Sequence, residues 1–305
     1  MSSEESAKTV AFAIAANVAI AVLKFIAAAV TGSSAILAEG IHSLVDTADG
    51  VLLFVGLRRG RLPADEEHPF GHGKEVYFWT LVVAILVFAV GGGMSVFEGI
   101  THLIAPRRLT NPIWSYAVLL GSIVFEGISW RVAWRQFQRE RGGRGIWETI
   151  EDSKDPSSFA VLFEDSAALL GLVVATAGIT LELLLRSSIP DAMASIAIGL
   201  ILMGAAVTLA RATQSLLVGE TADRKVIDGI RRIASADADV ARTGRVLAVH
   251  FGPHEIVAQL QLVFDPRLRA EEVAKAIDRL QRALRDRYPD LKSISVEAES
   301  QVSRP

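Results

Sequence analysis

The chain has 305 residues, 51% of them hydrophobic and only 21% charged, and its mean hydropathy is +0.37. A soluble protein of this length rarely carries so much apolar content, and with aromatics at 7% the bulk is Ala, Leu, Ile and Val, the composition of helices in lipid. A net charge of −3 excludes nucleic acid as the main partner; the absence of cysteine excludes disulfides and thiolate ligation, so a bound metal must use His, Asp, Glu or backbone oxygens.

The first residues, Met1 to Lys8, are polar and lack a basic run, and the apolar stretch from Thr9 has no cleavage site, so a retained helix is expected rather than a signal peptide. A helix crosses the hydrocarbon core with about 20 predominantly apolar residues. Six stretches qualify, approximately 9–30, 34–57, 76–104, 112–134, 159–185 and 189–209. Thr31-Gly32-Ser33 makes a tight turn that pairs the first two as a hairpin. Basic residues gather after span 2 (Arg58, Arg59, Arg61, Lys74) and after span 4 (Arg135, Arg139, Arg141, Arg144, Lys154), while the opposite side has Arg107, Arg108 and Arg186. That bias and the even span count predict both termini in the cytoplasm, with a bacterial plasma or inner membrane as the expected location.

Residues 1–214 therefore form a transmembrane domain, and 215–305 read as a soluble cytoplasmic one. Arg224–Ala234 has Val226, Ile227, Ile230 and Ile233 on one helical face. Val246–Phe251 and Glu255–Phe264 alternate as strands around Gly252-Pro253, Ala270–Arg287 is an amphipathic helix, and Ile294–Glu297 is a last short strand. The order αββαβ predicts a two-layer, ferredoxin-like α+β domain, small enough to gain from dimerisation.

Ionisable residues at membrane depth cost several kcal/mol unless paired, hydrated or ligating. Span 2 carries Glu39, His42, Asp46 and Asp49, spaced so that all four fall on one stripe. An imidazole and a carboxylate at i, i+4 are half of a four-coordinate site for a divalent cation. Span 5 offers Glu164 and Asp165, of which helical geometry points only one toward that stripe. The bland alternative neutralises these acids with Lys24 and makes His42 a packing residue. Glu98 and Glu126 either face a cavity or pair with Arg131. In the loop between spans 2 and 3, Asp65, His68 and His72 form a second candidate metal site or part of a hydrated polar loop. His102 reads as an interface residue. His250 and His254, flanking the strand turn, are candidate ligands in the soluble domain, or exposed turn residues.

Several motifs resemble one family. Gly32-Ser33-Ser34-Ala35 leads into Glu39-Gly40-Ile41-His42-Ser43-Leu44-Val45-Asp46-Thr47. Arg61-Leu62-Pro63-Ala64-Asp65 is followed by His68-Pro69-Phe70-Gly71-His72-Gly73-Lys74-Glu75, and Ile189-Pro190-Asp191 opens the last span. This pattern is similar to the cation diffusion facilitators. Ser153-Lys154-Asp155-Pro156 with Leu162-Phe163-Glu164-Asp165-Ser166 is similar to their divergent branch, that of the mitochondrial zinc transporter. The resemblance implies six membrane helices, cytoplasmic termini, a metallochaperone-like C-terminal domain, and a homodimeric proton/divalent-cation antiporter. It implies a transport site of His42, Asp46 and Asp165, with Asp49 and Glu164 as further candidates, and the loop site of Asp65, His68 and His72. A fourth family ligand falls at Val161, which shifts expectation from zinc toward Fe(II), Mn(II) or Co(II). The expected substrates are therefore a divalent metal (Zn, Fe, Mn or Co) and the proton, with membrane lipid around the helices and no organic cofactor. An intramembrane metalloenzyme and a non-transporting metal sensor are the alternatives.

Overall fold

The computed structural model describes residues 3–299 except 108, 144, 147, 148, 150–152 and 155, and side chains from 17 onward within that range except 140, 157 and 158. Arg108, Arg144 and Asp155, used in the readings above, lie outside the described residues. By contact the chain divides into two units, Met1–Leu57 with Phe78–Thr213, and Arg58–Tyr77 with Gln214–Pro305.

The first unit is built from long helices: α1 (Ser3–Thr31), α2 (Ser34–Arg59), α3 (Glu75–Ile104), α4 (Pro112–Arg141), α5 (Pro156–Leu185) and α6 (Ile189–Val218). Among the described residues five are long and apolar enough to cross a membrane, and Asn17–Thr31 of α1 adds a shorter apolar stretch. At 1.5 Å per residue a 30-residue helix spans about 45 Å, well over the ~30 Å hydrocarbon core. This explains why α2, α4 and α6 run to Arg59, Arg141 and Val218, beyond the expected limits at 57, 134 and 209. Apolar content marks where a helix leaves lipid, not where it stops. On α4 the side chains of Leu120, Val124, Ile128 and Val132 are 56–65% exposed, a stripe suited to lipid.

Polar contacts fix the helix ends. Gly32 adopts φ +75° in the turn between α1 and α2, where a residue with a Cβ would be strained. At the start of α6, the Asp191 carboxylate accepts from the Ser33 hydroxyl (2.6 Å), the Ser34 amide (2.6 Å) and the Ser34 hydroxyl (2.9 Å). It thus caps α2 at the positive end of its dipole. Helix α3 is interrupted by a π-helical turn at Val87–Gly92. Beyond it, α3 approaches α6 through small residues: a Cβ on Gly99 would lie 2.7 Å from the Ala192 carbonyl oxygen, and one on Gly199 2.7 Å from that of Gly92. His102, expected at an interface, is buried (3% exposed), because this close approach turns its face of α3 inward.

In the second unit, α7 (Arg224–Ser235) is followed by β1 (Val240–Gly252), β2 (Glu255–Phe264), α8 (Ala270–Arg287) and β3 (Leu291–Ala298). The sheet order is β1-β2-β3, with β1 and β2 antiparallel and β2 and β3 parallel. A parallel pair needs a crossover, and α8 supplies it. Ile230 and Ala234 of α7 and Ala276, Leu280 and Leu284 of α8 pack with Ala248, Ala258, Leu260, Leu262 and Ile294 of the strands. The expected αββαβ order is thus realised, with β1 and β3 longer than their apolar cores.

Candidate metal site

Helix α2 carries the first half of the site. The Lys24 ammonium of α1, 1% exposed, donates to Glu39 Oε2 (3.1 Å) and to the Ser43 hydroxyl (2.7 Å). Glu39 therefore neutralises Lys24 and leaves the stripe it shares in sequence with His42. Part of the bland reading holds for Glu39; it does not extend to the next turns. His42 is 1% exposed, and its Nδ1 lies 3.2 Å from Asp46 Oδ1. Neither ring nitrogen of His42, nor Asp46 Oδ1, nor either oxygen of Asp49 has a hydrogen-bond partner among the described residues. Buried polar atoms are normally satisfied, and here five unpartnered atoms are concentrated on two turns of one helix.

Helices α4 and α5 carry the other half. A cavity of about 150 Å³ is walled by Asp46 of α2, Val161, Glu164 and Asp165 of α5, and Glu126 and Ser129 of α4, with Asn17 of α1 at its side. The Ser129 hydroxyl donates to Asp165 Oδ2 (2.8 Å), and Trp130 Nε1 to the Ser166 hydroxyl (3.0 Å), so α4 fixes this turn of α5. Both Glu164 and Asp165 border the cavity, although only one was expected to, because it is wide enough to meet two faces of α5. His42 contacts Asp46 but opens on an adjoining narrow space that it shares with Glu164. The structure thus brings Asp46, Glu164 and Asp165 to one cavity, sets His42 behind Asp46, and buries Asp49 without placing it on that wall. Sequence reasoning missed the part played by Ser129 and left Glu126 undecided. The signal was present: Ser115, Leu119, Ser122, Glu126 and Ser129 recur at alternating spacings of four and three, the inner stripe of α4.

The loop before α3 is more compact. Among the described residues Asp65, His68 and His72 alone bring three ligating atoms within 4.8 Å of one another. Asp65 Oδ1 lies 3.3 Å from His68 Nδ1, and Asp65 Oδ2 3.5 Å from His72 Nε2. The His68 amide donates to Asp65 Oδ1 (2.6 Å), which holds that carboxyl below its ordinary range. His72 Nδ1 sits 3.2 Å from the Pro63 carbonyl, which leaves Nε2 facing the acid, the orientation of a ligating imidazole. In the C-terminal sheet His254 is exposed but His250 is buried (7% exposed), with Nδ1 3.3 Å from the Gly252 carbonyl. The reading of both as exposed turn residues fails for His250, because strand β1 continues to Gly252 and turns that side chain into the fold.

Residues 10–218 match the family model described as the cation efflux transmembrane domain. The chain belongs to the cation diffusion facilitator family. Its relatives include the mouse protein named proton-coupled zinc antiporter SLC30A9, mitochondrial, 28% identical over 263 residues that cover 86% of this chain and 46% of the mouse one. Metal tolerance protein C4 of Arabidopsis thaliana is 28% identical over 280 residues, 90% of this chain and 61% of that protein. This facilitator spans about half the length of the first of these relatives. A mitochondrial and a plant relative lend no support to the expected bacterial plasma membrane. A solved MamM CTD is 22% identical and covers 25% of this chain and 96% of its own, with a TM-score of 0.24, too low to argue from.

Proposed function

We propose that this facilitator exports divalent transition-metal cations of the Zn, Fe, Mn or Co class in exchange for protons, by alternating access. The observation that carries the reading is the cavity walled by Asp46, Glu164 and Asp165, with His42 against Asp46. Carboxylates gathered at membrane depth are tolerated only with a cation or protons among them. The cation binds the deprotonated site from the cytoplasmic side, where the Arg and Lys bias puts both termini. Rocking of the helices opens the site outward; protons then take the same lone pairs, and the protonated site returns. Metal and proton compete for each nitrogen and oxygen, so one site couples both fluxes. Asp65, His68 and His72 form a second cation site beside the C-terminal domain, which joins two copies of the chain as a homodimer. Family membership supports transport over the metalloenzyme and sensor alternatives.

The test is metal-dependent proton flux in sealed proteoliposomes. The purified chain is expected to drive proton movement on addition of metal, and His42→Ala and Asp46→Ala to abolish it. Flux that persists in both variants would remove the assignment.

A further inference from the structure

Glu126 is unexplained by the fold. It is 8% exposed, in the middle of a membrane helix, and forms no hydrogen bond or ion pair among the described residues. Pairing with Arg131 fails on geometry: five residues along a helix turn the side chain by roughly 140°, and Arg131 is exposed. Glu126 instead borders the same cavity as Asp46 and Asp165, three residues before Ser129, which donates to Asp165 Oδ2 and leaves Oδ1 free of that bond. One face of α4 therefore contributes a carboxylate and the hydroxyl that orients another. Beside Asp165, the α5 wall presents the apolar Val161, which offers no donor.

We propose that Glu126 is a direct donor to the transported cation, so that three helices rather than two hold it, and that Ser129 is a positioning residue for Asp165. The assignment rests on the transport reading above and adds a consequence for selectivity. Asp46, Glu164, Asp165 and Glu126 make the cavity side of the site an all-oxygen set, with a single imidazole behind. Carboxylate oxygens suit Mn(II), whereas imidazole suits Zn, Cu, Fe and Ni. At about 150 Å³ the cavity also leaves room for water on the ion, so protein side chains need not supply every ligand. Glu126 thus tilts preference toward Mn(II) relative to zinc.

The experiment uses the full chain in detergent, with Mn(II) followed directly by electron paramagnetic resonance and zinc by calorimetry. Glu126→Gln keeps shape and removes the charge. It is expected to weaken Mn(II) binding by at least about 10–100-fold, the scale seen when a metal site loses even a residue that only orients a ligand, and zinc by a smaller factor. Glu98→Gln, an acid of α3 outside the cavity wall, is expected to change neither. Ser129→Ala should weaken Mn(II) less than Glu126→Gln and leave the Mn(II)-to-zinc ratio near that of the parent. Glu126→Gln binding both metals as the parent does, while Asp46→Asn loses them, would sink the Glu126 assignment and leave transport standing. Equal losses in Glu98→Gln and Glu126→Gln would also sink it. A parent that binds neither metal would remove both readings. Should Glu126→Gln not fold, Glu126→Asp, which withdraws the carboxylate by one methylene, decides by the same ratio.

Discussion

Lys24 and Glu39 form an ion pair that is 1% and 0% exposed, in a helix hairpin surrounded by apolar side chains. Taking two charges out of water costs more than most single contacts return, and the cost is met here by the 3.1 Å pair, the Ser43 hydroxyl and the space left by Gly171. A Cβ on Gly171 would lie 2.5 Å from Glu39 Oε1, so a side chain there would push the carboxylate from its place. Removing one partner strands the other. Lys24→Met is expected to destabilise by about 3–5 kcal/mol, read as a large drop in melting temperature in detergent. Lys24→Met with Glu39→Gln is expected to recover most of that loss, because no charge is left buried. A single variant as stable as the parent, or a double variant no better than the single, would refute this account. The pair is one turn from His42, and that proximity limited what the sequence could convey. The stripe of Glu39, His42, Asp46 and Asp49 was legible from spacing, but which member Lys24 would claim depends on how α1 packs on α2.

Among the elements, apolar length pointed to the six long helices, five of which are long and apolar enough to cross a membrane among the described residues, and alternation together with amphipathic period revealed α7, β1, β2, α8 and β3. The π-helical turn in α3 was not legible. The run Gly91-Gly92-Gly93 permits the backbone to slip there, and α6 comes so close that Gly92, Ser95 and Gly99 face Gly199, Ser195 and Ala192. In lipid no hydrophobic drive brings helices together, so close backbone approach and the Ser195 hydroxyl on the Ser95 carbonyl (2.8 Å) hold this pair. On Gly99 a Cβ would meet the Ala192 carbonyl at 2.7 Å and the Ile196 amide at 2.9 Å, backbone atoms that cannot turn aside. Gly99→Ala is therefore expected to cost about 1–3 kcal/mol by overpacking. Gly121 of α4 has nothing within 4 Å of such a Cβ, so Gly121→Ala should be neutral or stabilise slightly, by at most about 1 kcal/mol. Thermal unfolding of both in the same detergent checks the contrast; equal shifts would mean that helix propensity, not packing, governs these glycines.

At the scale of the whole chain, the sequence boundary at residue 214 captured the change from lipid-like to water-like composition, yet residues 58–77 group with the C-terminal part. Their composition could not reveal this, because the partners lie some 180 residues later. The Phe70 ring sits 5.1 Å from that of Phe251, the Lys74 ammonium lies 4.6 Å above the same ring and donates to the Leu217 carbonyl (3.3 Å), and Glu255 accepts the Gly73 amide. Gly73 lies so flat on the β1–β2 turn that a Cβ would come within 2.6 Å of the Phe251 carbonyl and 2.9 Å of Gly252 Cα. The loop holding Asp65, His68 and His72 is thereby seated on the sheet that the C-terminal helices complete. Trypsin reads that seating, since Arg61 and Lys74 lie within the loop. Phe251→Ala removes an aromatic pair worth about 0.5–1.5 kcal/mol and a cation–π contact worth about 0.5–1, so cleavage through the opened loop should quicken by about ten-fold. Gly73→Ala should do the same without touching either ring, because it pushes backbone from backbone. Cleavage at Arg282, exposed on α8, is the internal reference. A rise confined to Arg61 and Lys74 means the loop has lifted from an intact domain, whereas a rise at all three sites, or at none, would show that these contacts do not hold the loop.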